Sequence, residues 1–346
     1  MSLETAPFAP ELALPDELRA WYETYAGVSA ADFPGAPVPA YDAWAQRLRA
    51  PESHRMLQRC WAARDRGRLL GTAHAIFPKA ENSGIAIVAV RVPHRERGVG
   101  VGTQLLRAML PEIRERGRRA VIGEVGAGTD GEKWTDSLGF RTVLELSAHH
   151  LDITGTDRAL WQVDPAPGFR LRRWVDTAPD DLVQGLALAR SAMADQPIGT
   201  ASYRPPVWTA ELVRKREAEL LKLGESRRYV VAVHEHSGAV AGFTEVSTLP
   251  GQESHCRQVD TAVLPEFRGL GLGRAVKAAM NRWLVADLPR LERVHTMTAT
   301  ANLPMIRVNS RLGYTTDYTL AGVEAEVGAL DARLGSPARF PPDSAG

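Results

Sequence analysis

Cysteine is scarce in this sequence and metal-binding spacing is missing. There are two cysteines, Cys60 and Cys256, and nine histidines without a helical His-Glu-x-x-His set. Two cysteines without paired spacing exclude a disulfide framework; they read as packed thiols in equivalent strand regions of two halves. His149 and His150 are adjacent and would point to opposite faces of a strand, so no metal site is expected. No run of about 18 apolar residues occurs, and Met1 to Pro15 carries acidic and proline residues where a signal peptide needs a basic region and an apolar run. A cytoplasmic protein with no membrane partner is expected. The net charge of +1 supplies no general basic field, which argues against nucleic acid; the Arg114 to Arg119 cluster reads as a solvated helix end. Neither of the chain's two alternating-glycine loops, 98–102 and 269–273, spells Gly-x-Gly-x-x-Gly, and no Gly-x-x-x-x-Gly-Lys-Ser/Thr occurs, which disfavours dinucleotides and nucleotide triphosphates.

What the chain does contain is one device used twice. Thr261 to Lys277 runs from an apolar strand end through the alternating glycines Gly269, Gly271 and Gly273 into a helical pattern. Val90 to Thr103 does the same with Gly98, Gly100 and Gly102, and the two stretches align without a gap from Val90 against Thr261 to Gly102 against Gly273. Backbone N–H groups and a helix N-terminus converge there, an arrangement suited to phosphate.

With 346 residues, 44% of them hydrophobic, the chain is long enough for two domains, each with a core. We expect an N-terminal domain over 1–155, a proline-containing linker over 156–168, a C-terminal domain over 169–330 and a disordered tail over 331–346. The first half reads as a helix pair over 16–50, broken at Phe33 to Pro37, then strands Arg55–Ala63, Arg68–Phe77 and Ile85–Val92 before its glycine loop. A helix with Leu105, Leu106, Met109, Leu110 and Ile113 on one face follows, then strand, short helix and strand. The second half repeats this order, closing with a strand Tyr314–Leu320 and a further strand at Val323–Val327. Antiparallel strands before the loop and a strand–helix–strand unit after it predict an α/β fold with a mixed, mostly antiparallel sheet flanked by helices, rather than a doubly wound sheet.

These residues resemble the GNAT acyltransferases, which carry Arg-x-x-Gly-x-Gly between their fourth strand and third helix. Arg97-Gly98-Val99-Gly100-Val101-Gly102 and Arg268-Gly269-Leu270-Gly271-Leu272-Gly273 both match, and Leu138-Gly139-Phe140 and Leu312-Gly313-Tyr314 fall where such domains begin their sixth strand. The second half, with Asn302 to Tyr314, is similar to tandem two-domain acetyltransferases of actinobacteria, including mycothiol-synthase-like and antibiotic-cluster enzymes. The resemblance implies two tandem GNAT folds with splayed central parallel strands, and acetyl-CoA as co-substrate, up to one per domain. It assigns the pyrophosphate to the two loops with Thr103 and Arg274, and the pantetheine to Val90, Arg91 and Val92 and to Thr261, Ala262 and Val263. The amide of Val92 or Val263 would polarise the thioester carbonyl, and Asn302 and Met305 complete the second site. Glycines permit close approach of a pyrophosphate, and Arg97 and Arg268 add charge and fork-shaped donors.

Acyl transfer to an amine needs a base for the ammonium, an oxyanion donor and a proton for the thiolate. The tyrosine that serves as acid in many family members is replaced by Asn309 in the second half, a catalytic candidate that could still hydrogen-bond the thioester sulfur or the pantetheine, and by Thr135, the weaker candidate, in the first. Glu245 is the first candidate base, with Asp260 and His255 behind it. The second half therefore reads as the catalytic one and the first as a degenerate or regulatory copy. The expected activity is N-acetylation of a small-molecule amine by direct attack on the thioester. The alternatives are a non-catalytic CoA-binding sensor or scaffold, and an acyltransferase using a longer acyl-CoA or an O-nucleophile. Trp21, Tyr22, Trp44, Tyr203, Trp208 and Trp283 read as core more than recognition. The assembly is expected to be a monomer or a homodimer.

Overall fold

The computed structural model describes residues 3–50, 52–53 and 56–335. The first half comprises β1 (Leu3–Phe8), α1 (Pro15–Asp32), α2 (Tyr41–Leu48), β2 (Met56–Asp65), β3 (Arg68–Pro78), β4 (Ile85–Arg91), α3 (Val101–Glu115), β5 (Ala120–Gly126), α4 (Asp130–Ser137) and β6 (Arg141–Asp152). The second comprises β7 (Phe169–Val175), α5 (Asp180–Ser191), α6 (Ala210–Lys222), β8 (Ser226–His234), β9 (Val240–Thr248), β10 (His255–Val263), α7 (Leu272–Asp287), β11 (Arg293–Ala299), α8 (Leu303–Arg311), β12 (Thr315–Glu326) and α9 (Val327–Gly335).

Local chemistry explains the boundaries. Pro15 starts α1 in the first-turn position where its missing N–H costs nothing, and α1 stops beside Phe33-Pro34. The Asn302 side chain caps α8, its Oδ1 accepting the Met305 N–H at 3.2 Å. The five apolar positions expected on α3 are all buried, against β2, β3 and β4. Burying each contributes about 1.5–3 kcal/mol. In α7 the matching stripe is Leu272, Val276, Met280 and Leu284.

The strands form one continuous twelve-stranded sheet in the order β1-β2-β3-β4-β5-β12-β6-β11-β10-β9-β8-β7. Pairing is antiparallel except at two places. β4 meets β5 in parallel only over Ile85–Ile87 and Ala120–Ile122, and β10 meets β11 only over His255–Arg257 and Arg293–His295. Beyond those three-residue contacts each pair splays apart, just before its glycine loop.

The halves are interlocked by their last strands. β12 of the second half lies against β5 of the first, and β6 of the first lies against β11 of the second. Ala321, Val323 and Ala325 therefore join the core of the first half, while Leu151 and Ile153 join that of the second. β6 falls within the expected 1–155 and β12 within the expected 169–330, so the exchange is one of packing partners between the two stretches of chain. The linker is also packed: Trp161 is buried and its Nε1–H donates to the Leu312 carbonyl at 3.0 Å. Four expectations change. β1 pairs with β2 although its sequence gave no strand signal. The two closing strands are one, β12. The expected tail begins as helix α9, whose Leu330 and Leu334 pack in the first core; residues 336–346 lie outside the described residues. Cys60 and Cys256 are buried free thiols, but on the non-equivalent strands β2 and β10, and burial pushes both up to about 12.

Candidate active site

Each glycine loop ends a splay and opens a helix. Gly98, Gly100, Gly269 and Gly271 all have left-handed backbone, with φ of 78°, 88°, 83° and 75°. A Cβ added at any of them would meet nothing within 4 Å, so the space before each loop is free for a ligand. Gly100 and Gly271 are the N-caps of α3 and α7 and supply no side-chain cap. Unpaired N–H groups and the helix dipole thus face that space, as a pyrophosphate requires.

The two arginines of the motif do something else. Arg97 Nε–H donates to the Val92 carbonyl at 2.9 Å and its Nη2 pairs with Asp32 at 2.7 Å. Arg268 Nε–H donates to the Val263 carbonyl at 3.1 Å and its Nη2 pairs with Asp195 at 2.6 Å. Each fastens the loop to its own strand and to the end of a helical segment on the other side.

Behind the second loop the strand is distorted. The β9–β10 register shifts between Gln258 and Thr261, whereas β3–β4 pairs without a shift. Ile85 to Val92 and His255 to Val263 start from equivalent parallel contacts and end at equivalent loop positions, so β10 carries one extra residue. The bulge absorbs it. Gln258 holds the bulge from inside, its Nε2 donating to Thr244 Oγ1 at 2.7 Å and to the Glu245 carbonyl at 2.8 Å. Bulges re-aim side chains, and here Asp260 faces the splay. Leu264 N–H donates to Ala241 on the β9 side at 2.8 Å. Alternation along the strand then turns the Val263 N–H toward the splay.

Asp260 ends a chain of alternating charges. Arg47 of α2 pairs with Glu225, Glu225 with Arg227, Arg227 with Glu245, Glu245 with Arg190, and Arg190 with Asp260 at 3.4 Å. Arg190 also lies over the Trp208 ring, 4.4 Å from its centroid, a cation–π contact. Glu245 and Arg190 are buried. Burial and the neighbouring Glu245 charge raise the Asp260 carboxyl above the ordinary carboxylate range, against the pull of Arg190.

Both splays open into one cavity of about 2,090 Å³. Every residue expected to hold the cofactor lines it except Val99, which is exposed to solvent. Of the three candidate catalytic residues, Asp260 reaches the wall. Glu245 stands behind it between two arginines, and Asn309 is buried with its amide donating to Thr298 Oγ1 at 3.2 Å. His255 lies off the cavity, 3.0 Å from His295. In the first half the wall has Arg91, His74 and Glu124. Burial raises the Glu124 carboxyl and pushes His74 down to about 3. Trp134 covers the start of α3, its Nε1–H donating to Thr103 Oγ1 at 3.1 Å.

Each half also roofs the other. The α5–α6 segment crosses to the first half: Thr200 N–H donates to the Val143 carbonyl at 2.9 Å and Ser202 binds Glu324. A Cβ on Gly199 would fall 1.8 Å from that carbonyl. In return Gln252 donates to the Val38 carbonyl at 2.8 Å, and Phe33 packs on Tyr318. Tyr203, expected as core, lines the cavity, as do Tyr25, Glu124 and Lys277, which the sequence reading gave no role. Tyr25 and Glu124 lie outside the glycine motif. Lys277 closes the motif but follows the helical apolar spacing.

A splayed mixed sheet with a glycine loop at the head of each splay is the layout of an acyltransferase fold. The model of the Acetyltransferase (GNAT) family matches residues 16–131 and 200–314; the chain belongs to that family, as two tandem copies of its fold. Mycothiol acetyltransferase of Actinosynnema mirum is 29% identical over 255 residues, 73% of this chain and 79% of that protein. A tandem GNAT protein from the clavulanic acid biosynthesis pathway, solved without acetyl-CoA, has a TM-score of 0.78 at 24% identity, covering 94% of this chain and 99% of that one. A GCN5-related N-acetyltransferase from Sphaerobacter thermophilus has a TM-score of 0.66 at 15% identity, covering 94% and 96%. The two structural likenesses speak to the fold. No helix among the described residues is long and apolar enough to cross a membrane.

Proposed function

We propose that the chain is an acetyl-CoA-dependent N-acetyltransferase, and that its second half moves the acetyl group to the amine of a small molecule by direct attack on the thioester. The observation that carries this reading is Asp260 on the cavity wall, re-aimed by the bulge beside the β10–β11 splay and close to loop 269–273. Acetyl-CoA supplies an activated acyl group. The loop N–H groups and α7 hold its phosphates, and the Val263 N–H, directed into the splay, polarises the carbonyl. Asp260, with its raised pKa, takes a proton from the acceptor ammonium; a carboxylate poised nearer neutral pH is the better base. Glu245, fixed between Arg190 and Arg227, sets the field and position of that pair. Both loops are suited to CoA, and the acceptor enters between the crossing segments that roof the cavity.

Mass spectrometry of the purified protein should find bound acetyl-CoA, up to two per chain. Thiol release measured with acetyl-CoA against a panel of amino sugars, thiol-linked amines and simple alkylamines should depend on the amine. CoA binding without amine-dependent thiol release would turn the reading into that of a non-catalytic CoA sensor.

A further inference from the structure

The second half has a buried lysine where the first has a leucine. Lys277 sits on α7, one turn beyond Gly273, on the wall of the cavity below the β10–β11 splay, and is 1% exposed. In the gapless register of the loops its counterpart is Leu106 of α3, an ordinary core residue. No hydrogen bond or ion pair of its ammonium is found among the described residues; its Nζ lies 4.7 Å from the centroid of the Tyr314 ring.

Other polar groups nearby also lack partners. Tyr314 Oη, His149 Nε2 on β6 and both amide atoms of Asn281, one turn further along α7, are buried and unbonded among the described residues. The first half fills the matching positions of Asn281 and Tyr314 with Leu110 and Phe140. A core of this fold is therefore made without polar groups in one copy and with a lysine-centred set in the other. Burying such groups is costly, and nothing in the packing requires them.

The missing tyrosine leaves the departing thiolate without a proton donor, and Lys277 is a cation on the wall of the same cavity. We propose that Lys277 is the proton donor to the leaving thiolate in the second half. This rests on the acetyl-transfer reading. When the C–S bond breaks, its electron pair stays on sulfur, and the Lys277 ammonium gives a proton to it, leaving free thiol and neutral amine. The acceptor nitrogen gives up two protons in all: one to Asp260 before attack and one, as the amide forms, that recharges Lys277. Asp260 returns its proton to solvent.

Burial pushes Lys277 down to about 7, below an ordinary thiol at about 8.5, so the transfer runs downhill. The groups facing it are the Tyr314 phenol, the His149 imidazole from β6 and, on β10, the Cys256 thiol near Tyr314; no carboxylate contributes to its shift. Among these, burial holds His149 below its usual value and raises Tyr314, so neither competes as the donor near neutrality.

The test is the Lys277→Leu variant, which copies the first half. We expect kcat to fall by about a hundredfold or more, with the acetyl-CoA Kd within a few-fold of wild type. We also expect the decline of wild-type kcat above about pH 7 to vanish from what turnover is left. A variant that keeps kcat within a few-fold, and keeps the alkaline limb, overturns the proposal while leaving acetyl transfer intact. Should the variant not fold, trace acetic-anhydride labelling of the wild type across pH decides: titration of Lys277 together with kcat supports the proposal, and titration in the ordinary lysine range near 10 overturns it. A wild type that binds acetyl-CoA and releases no thiol with any amine removes the acetyl-transfer reading and this one with it.

Discussion

At equivalent positions the first half has His74, Ala89, Leu106, Leu110 and Phe140 where the second has Glu245, Asp260, Lys277, Asn281 and Tyr314. The loops share left-handed glycines at matching places, and both arginines make the same two kinds of bond, to a strand-end carbonyl and to an aspartate. What differs is everything behind the loop: an unbulged strand over an apolar core in one copy, a bulged strand over buried charges in the other. On the proposed acetyl-transfer reading, the ligand-binding surface of this fold is thus separable from its proton chemistry. A CoA loop needs glycines and a helix start, which cost little, whereas a base, its counter-charges and a buried ammonium must be held against desolvation.

The buried charges give the comparison its largest expected effect. Glu245→Ala leaves Arg190 and Arg227 facing each other across an empty place, each keeping only its other carboxylate. Breaking such a pair costs about 3–5 kcal/mol. His74→Ala, at the matching place in β3, removes a neutral ring 3.3 Å from Arg91 and should cost about 1–2 kcal/mol. Because the sheet is continuous through both halves, both losses should be read on the same urea transition. Equal losses would show that the ion chain is no more structural than its first-half counterpart.

Asp260→Asn against Glu124→Gln addresses the chemistry. Both carboxyls line the cavity and both are raised by burial, but Asp260 lies beside the bulge and Arg190, while Glu124 lies on β5 in a splay without a bulge. Loss of the base should lower kcat about a hundredfold in Asp260→Asn and leave Glu124→Gln within a few-fold of wild type. The acid limb of kcat should stand above the usual carboxylate range in wild type and disappear with Asp260. The opposite outcome would move catalysis to the first half, where Glu124 would be the base.

Much of this was legible in the residues, for identifiable reasons. Glycine alternation before a helical pattern is local chemistry, so both loops and both helix starts could be read directly. The order of strands across the sheet is not local: nothing in Thr315 to Glu326 says that it will lie beside Ala120 to Gly126 rather than beside β11. β1 was missed because Leu3 to Phe8 contains a proline and little alternation, and is held by its partner β2. Asp260 and Glu245 could be named as acids near the fourth-type strand, but the bulge that brings one to the cavity and leaves the other behind arises from one extra residue and the Gln258 amide. Lys277 was hidden by helical spacing, since every fourth position of α7 reads as core.

The loops themselves give the smallest expected effect and the most direct test of which half works. A valine at Gly271 or Gly100 forces a β-branched residue to adopt positive φ, which costs about 1–2 kcal/mol, and places methyl groups in the space before the loop, where nothing of the protein lies within 4 Å. The penalty therefore falls on ligand binding and local geometry rather than on packing. Gly271→Val should weaken acetyl-CoA at the second site by about tenfold or somewhat more and lower kcat/KM in proportion. Gly100→Val should weaken only the other equivalent of bound CoA in a titration and leave turnover near wild type. If turnover also falls in Gly100→Val while Gly271→Val is unaffected, the first splay is the working one. If both variants lose turnover together, the halves are coupled through the cavity they share, and the crossing segments 196–203 and 33–40 that roof it become the route by which one bound CoA reaches the other.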